Sequence, residues 1–260
     1  AGVDYDLAFC PERTLEGMAL DELRHLPQII GASSDAANNR ASQLFQFLTS
    51  SIVRVGTLES AEMIKLIDNA QRDVSFAFSN EVARLCDTLG ISAAEVIESG
   101  KLGYPRTNLP MPGPVGGPCL EKDTYILAES VAEYGLAPDI ALTARRLNEN
   151  QPDEVIAQVR QFTDGIADFP DAPMITVAGV AFKGRPETDD LRGTMAIPII
   201  KAIRANYPDA KLRGYDAVVS DDGISGLGLQ PVSGLDAAFD EAHLVVVANN
   251  HRCFGERALL

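Results

Sequence analysis

The sequence predicts an α/β chain built in three parts. Short apolar segments alternate with helical ones over residues 1–56, and again from Met174 onward. Between them runs a long helical pattern, Glu59–Leu89, with no proline or glycine inside it. The later strands are continuously apolar, which marks a parallel sheet covered on both faces. Parts are drawn at 1–56, 57–162 and 163–260.

In chain order, Tyr5–Phe9 reads as a short strand running into Cys10-Pro11-Glu12. Gln28–Gly31 and Ser51–Val55 read as further strands, with a helix over Ser34–Thr49 that has Ser or Asp near its start. The chain opens almost directly on a strand, so this part is expected to be the end of a larger α/β unit. Along Glu59–Leu89, Met63, Leu66, Ile67, Ala70, Val74, Phe78, Val82 and Leu85 recur at helical spacing, and Gly90 offers a stop. A helix of this length serves as a spine, as a dimerisation element, or as the core of a helical subdomain. Ser92–Ser99 carries a capping box, with Glu95 three residues after Ser92. A Pro/Gly-rich loop, 103–118, precedes helices expected at Asp123–Glu133, Ile140–Asn150 and Asp153–Phe162, and 163–173 reads as a linker. The last part reads as strand Met174–Phe182, helix Thr194–Asn206 interrupted by Pro198, strand Lys211–Tyr215, helix Leu235–Ala242 and strand Leu244–Ala248.

Hydrophobic residues make up 46% of the 260, enough for a sizeable core. The net charge of −15 is spread along the chain, which argues against nucleic-acid binding. A phosphorylated ligand would therefore need arginine and lysine gathered locally. No apolar run reaches the length of a membrane span. The four cysteines stand far apart without metal-site spacing, so neither a zinc site nor a disulfide framework is expected, and a reducing cytoplasm fits.

The chemistry concentrates in Pro112–Asp123. Cys119 follows a loop of small and rigid residues, including Gly116 and Gly117, and Asp123 comes four residues later. Such a loop lets backbone approach a ligand and holds a thiol in place, and the positive end of the helix that follows can activate it. Cys119 also reads as a small buried hydrophobe. Lys65 and Asn69 lie four apart on the long helix and share a face, two donors suited to a developing oxyanion. Lys65 equally fits a solvated face beside Glu62. Glu12 and Glu16 flank a strand-to-helix junction, where a general acid/base and a polar ligand contact are at home, or where carboxylates merely satisfy helix amides. Lys183, Arg185 and Arg192 cluster after an apolar strand, suited to a phosphate or to a solvated loop. Arg106, Arg145 and Arg146 are further cationic candidates, while Cys10 and Cys86 suggest packing.

These segments, in this order, resemble the UDP-glucose/GDP-mannose dehydrogenase family. The resemblance rests on Cys-Pro-Glu-Arg-Thr-Leu-Glu-Gly (10–17), Glu-Met-Ile-Lys-Leu-Ile-Asp-Asn (62–69), Val-Gly-Gly-Pro-Cys-Leu-Glu-Lys-Asp (115–123) and Ala-Phe-Lys-Gly-Arg-Pro-Glu-Thr-Asp-Asp-Leu-Arg (181–192). It implies Rossmann-like first and last parts around a helical dimerisation domain. It further implies two NAD-dependent oxidations of a nucleotide sugar at C6, of the UDP-N-acetylhexosamine or UDP-glucose type. Cys119 would be the nucleophile, passing through a thiohemiacetal and a thioester. Lys65 and Asn69 would serve the oxyanion, Asp123 the water or proton, and Glu12 acid/base transfer. Glu16, Arg106, Gly116, Gly117 and Lys183 would contact the UDP-sugar, Arg106 in a neighbouring subunit's site. Arg192 would lie on the cofactor side, and the long helix would form a homodimer. Three features depart from the family pattern. No Gly-x-Gly-x-x-Gly turn is present, so most of the NAD-binding domain is expected outside this chain and the chain alone is expected to be inactive. Pro118 replaces a more usual His or Ser, and the Lys183–Arg192 turn is longer than usual. A nucleotide-sugar-binding or dimerisation module without redox activity is the alternative.

Overall fold

The computed structural model describes residues 4–255, and within them the α/β architecture expected from the sequence. Strand β1 (Ala8–Phe9) is followed by helix α1 (Ala19–His25), β2 (Gln28–Ala32), α2 (Asp35–Phe45) and β3 (Ile52–Val55). Ser34 caps α2 by accepting from the Ala37 amide at 3.1 Å. Helix α3 (Leu58–Leu89) is continuous over 32 residues. Ser92 caps α4 (Ala93–Lys101) through the Glu95 amide, as its capping-box sequence requires. Helix α5 (Leu120–Ala132) begins directly after Cys119, three residues earlier than the sequence suggests.

Helix α6 (Asp139–Asp164) corrects the expectation of two helices. Proline forfeits one backbone hydrogen bond and crowds the preceding turn, which is why a break is expected at Pro152. Tertiary contacts override that cost. Asn148 before the proline bonds to Asp73, Glu154 after it pairs with Arg84, and Pro152 and Ile156 are buried.

Strand β4 (Met174–Ala178) ends four residues before the expected Phe182, because Gly179 turns the chain at φ 79°. Helix α7 (Ala196–Asn206) starts late enough that Pro198 falls in its first turn, where no amide donor is needed. Then come β5 (Lys211–Tyr215), α8 (Asp221–Gly226), β6 (Gln230–Pro231), α9 (Leu235–Phe239), β7 (Leu244–Val247) and the short α10 (Arg252–Gly255).

The residues form two compact units. The first comprises the chain up to Gln71 together with Asp123–Pro138. It holds a three-stranded sheet of order β1-β2-β3, with β1 antiparallel and β3 parallel to β2. The second comprises Arg72–Lys122 and the chain from Asp139 on. Its four-stranded sheet, β6-β5-β4-β7, is parallel throughout. The core of this unit packs Ile175 and Val177 of β4 against Ile199, Ile200 and Ile203 of α7 and Ile156 of α6. Among the described residues, no helix is long and apolar enough to cross a membrane.

Candidate active site

In the second unit the loop before Cys119 is fastened along its length. The Asn80 side chain on α3 brackets Gly113, accepting from its amide at 2.8 Å and donating to its carbonyl at 3.1 Å. Arg145 on α6 donates to the Val115 carbonyl (3.1 Å) and to the Leu120 carbonyl (3.2 Å) in the first turn of α5. The same guanidinium donates to Asp73 Oδ1 at 3.1 Å, with the two side chains 2% and 0% exposed. Asn148 donates to Asp73 Oδ1 (2.8 Å) and to its carbonyl (3.0 Å), and in turn accepts from Asn80 at 3.1 Å. The Gly117 amide donates to the Gly193 carbonyl at 2.7 Å.

Close approach explains the glycine pair. A Cβ on Gly116 would strike the Gly193 carbonyl and the Met195 side chain, and one on Gly117, at φ 98°, would press on the Phe182 ring. The loop thus lies flush on the turn 181–195. Cys119 stands exposed as the residue before α5, at the amide end of a 13-residue helix.

The turn 181–195 leaves the carboxyl end of β4, the edge where parallel sheets bind ligands. Asp216 beyond β5 accepts from the Ala181 amide at 3.0 Å, and Asn250 beyond β7 accepts from the Gly184 amide at 3.1 Å. The Lys183 ammonium lies 5.1 Å from the centre of the Phe182 ring. Arg192 is exposed and grips Asp190 through Nε (2.9 Å to Oδ2) and Nη2 (2.6 Å to Oδ2). That hydrogen bonding, aided by the charges of Arg192 and Lys183 and opposed by burial, holds the Asp190 carboxyl below its ordinary range. Arg106 is exposed, 4.4 Å over the Tyr104 ring.

In the first unit Asn69 donates to Asp123 Oδ2 at 2.7 Å, and Asp123 is buried. Lys65, one turn before Asn69 on α3, is half-buried. The Glu12 carboxylate turns onto its own loop and accepts from the amide and hydroxyl of Thr14. Glu16 is exposed. Arg13 ties this loop to α3, donating to Asp68 Oδ2 and to the Pro27 carbonyl, both at 3.2 Å.

The first unit therefore contains Glu12, Glu16, Lys65, Asn69 and Asp123, and the second contains Arg106, Gly116, Gly117, Cys119, Lys183 and Arg192. Arg145, offered by the sequence as a phosphate-binding candidate, is instead buried and committed to Asp73 and the loop carbonyls. Sequence reasoning missed Asp73, Asn80, Asn148 and Arg13. The signal for the first was available, since Lys65, Asn69 and Asp73 continue one helical stripe at steps of four. Among the described residues, no group of three or more His, Cys, Asp or Glu is arranged to hold a metal ion.

Comparison with known proteins yields two matches to family models. Residues 59–150 match the central domain of the UDP-glucose/GDP-mannose dehydrogenase family, and residues 176–259 match its UDP binding domain. The UDP-N-acetyl-D-mannosamine dehydrogenase of Pyrococcus horikoshii is 32% identical over 252 residues, covering 96% of this chain and 56% of that protein. The NDP-N-acetyl-D-galactosaminuronic acid dehydrogenase of Ralstonia nicotianae is also 32% identical, covering 96% of this chain and 57% of its own length. A solved structure of the Pyrococcus horikoshii UDP-D-ManNAc dehydrogenase superposes with a TM-score of 0.82 at 31% identity, covering 99% of this chain and 58% of that one. The chain thus spans just over half the length of these relatives.

Proposed function

The chain belongs to the UDP-glucose/GDP-mannose dehydrogenase family, and on that premise we propose that it carries the sugar-side groups of a nucleotide-sugar 6-dehydrogenase. The reaction is the four-electron oxidation of a C6 alcohol to a carboxylate in a cytoplasmic enzyme. A UDP-linked N-acetylhexosamine is the favoured substrate, because the relatives named above act on N-acetylated nucleotide sugars. The observation that carries the reading is Cys119, an exposed thiol at the start of α5 on a loop whose backbone is fixed by Asn80, Arg145 and Gly193.

Among the described residues, no glycine-rich strand-to-helix turn of the dinucleotide-binding kind is present. No Gly-x-Gly-x-x-Gly turn occurs in the sequence, and Arg192, the position assigned to the cofactor side, is engaged by Asp190. NAD, bound in the whole protein, would accept two hydrides from C6, the first leaving the aldehyde and the second turning the thiohemiacetal into the thioester. This chain's residues supply the rest. Glu12 takes the proton from the C6 hydroxyl. Once C6 is an aldehyde, Cys119 Sγ adds to it, and Lys65 with Asn69 donates to the resulting oxyanion. Asp123, hydrogen-bonded to Asn69, steers the water that cleaves the thioester C–S bond, returning the thiol and releasing the carboxylate. Lys183 contacts the nucleotide sugar, with Glu16, Gly116, Gly117 and a neighbouring subunit's Arg106.

Homodimerisation through α3 is supported by a stripe of exposed apolar residues, Met63, Ile67, Phe78, Leu85 and Leu89, along that helix. Phe78→Glu is expected to dissociate the dimer in sedimentation experiments, and an unchanged sedimentation coefficient would remove α3 from the interface. For the chemistry, Cys119→Ser in the full-length parent should lower NAD-dependent turnover of UDP-N-acetylhexosamines by at least ~1,000-fold. Unchanged steady-state turnover overturns the nucleophile assignment.

A further inference from the structure

A second cysteine has the surroundings of a reactive thiol. His251, just past β7, has a buried ring with both nitrogens engaged. Its Nε2 lies 3.1 Å from Glu187 Oε2, and its Nδ1 lies 2.9 Å from Cys253 Sγ. The Cys253 backbone amide donates to the same Nδ1 at 3.2 Å. An amide can only donate, so Nδ1 is an acceptor and the neutral ring carries its proton on Nε2, aimed at Glu187. The remaining contact is then Sγ–H donating to Nδ1. Thiol, base and orienting carboxylate thus stand in the order that activates a nucleophile.

The ring has little freedom to leave this arrangement. The His251 amide donates to Asn249 Oδ1 at 3.1 Å, and the Phe254 ring meets the imidazole edge-on at 6.3 Å between centroids. The backbone at His251 lies so close to Gly184 that any Cβ there would collide with it. Arg252 Nη2 stands 3.9 Å from the same Glu187 oxygen, Oε2, that faces His251. Partners on opposite ring nitrogens cannot converge on one ion, so the cluster does not suit a metal. Tyr215 also borders the group: burial first, then electrostatic repulsion from Cys253, once its thiol is ionised, and from Asp216, push its hydroxyl up.

We propose that Cys253 is an activated thiol and a site of covalent modification by alkylating electrophiles and hydroperoxides. With an iodoacetamide probe, Sγ forms a bond to the methylene carbon, iodide leaves, and the thiol proton passes to His251 Nδ1. With a hydroperoxide, Sγ attacks one peroxide oxygen and the O–O bond breaks. The sulfur is oxidised by two electrons to a sulfenic acid, and the peroxide is reduced to water or an alcohol, which takes the proton from His251. This assignment stands apart from the sugar chemistry.

Cys10 supplies an internal control, because it too is half-buried and burial alone pushes its thiol up. The 260-residue chain carrying Cys119→Ser is treated with iodoacetamide at neutral pH, and the labelling rate of each thiol is read by peptide mass spectrometry. Cys253 is expected to react at least about tenfold faster than Cys10. His251→Gln should bring it down to the Cys10 rate, and Glu187→Gln, at a half-exposed position, should slow it severalfold without unfolding the chain. Equal rates for Cys253 and Cys10 overturn the proposal. So does a Cys253 rate unmoved by Glu187→Gln in a chain whose thermal melt is unchanged.

Discussion

In the second unit, the loop leading to Cys119 is fastened by side chains that are themselves buried, Arg145, Asp73, Asn148 and Asn80. In the first unit, the loop carrying Glu12 and Glu16 is held by Arg13, whose partner Asp68 is half-exposed, by Glu22, which accepts from the Leu15 amide, and by Gln28, which donates to the Pro11 carbonyl, while Glu12 accepts from Thr14 in its own turn. The contrast follows the work proposed for each loop. A nucleophile must meet a carbon atom along one direction, and buried hydrogen bonds allow few alternatives to that geometry. A carboxylate that exchanges a proton with substrate must be free to turn from its resting partner, and Thr14 is a partner it can leave.

Burial also fixes the energetic scale. An ion pair out of water gains little over a well-packed apolar pair, but removing one partner strands the other. Arg145→Met should therefore destabilise the chain by ~3–5 kcal/mol, read as a drop in the urea midpoint. Adding Asp73→Leu should recover much of that loss. A cost below ~1 kcal/mol for Arg145→Met would mean that the buried clamp is no stronger than the exposed one, and the comparison would fail.

How much of this is legible in the sequence depends on what decides each feature. Helix α3 and the caps at Ser34 and Ser92 are written locally, in apolar spacing and in side chains that reach a nearby amide, so the sequence displays them. Strand β5 is bounded as expected for the same reason. Pro152 misled because its local cost is plain in the sequence, while the bonds that outweigh it join α6 to α3 over 70 residues or more. The elements without a sequence signal, α8, β6 and α10, are two to six residues long, too short to show a period. At the candidate site, Cys119, Asn69 and Asp123 stood out by type and spacing, and the structure adds the Asn69–Asp123 bond. Arg145 is legible as a cation but its partner is not, because nothing local announces that an arginine is buried.

The exposed loop should respond weakly, and in a way salt can alter. Arg13→Ala removes a pair whose side chains are 27% and 50% exposed. Its effect on stability should stay within ~1 kcal/mol. The part due to the Asp68 charge should fade as salt shortens the screening length, leaving only what the Pro27 carbonyl bond contributes. A loss as large as that from Arg145→Met would show that exposure is not what separates the two loops.

The smallest effect sharpens the comparison most, because it separates burial from location. Asp190 and Arg192 lie in the second unit, as the buried clamp does, yet Arg192 is 76% exposed. If exposure governs, this pair should behave like Arg13 and Asp68. Because Asp190 is held below the ordinary carboxylate range, the stability it contributes is fully present above that range and is lost as pH falls through its depressed folded value. Asp190→Asn keeps an oxygen to accept the Arg192 amide bond but removes the charge. Its urea midpoint should lie slightly below that of the unaltered chain at neutral pH, and the two should converge as the solution is acidified past the carboxylate range. A gap that persists at low pH would assign the effect to lost packing in the 181–195 turn rather than to the ion pair.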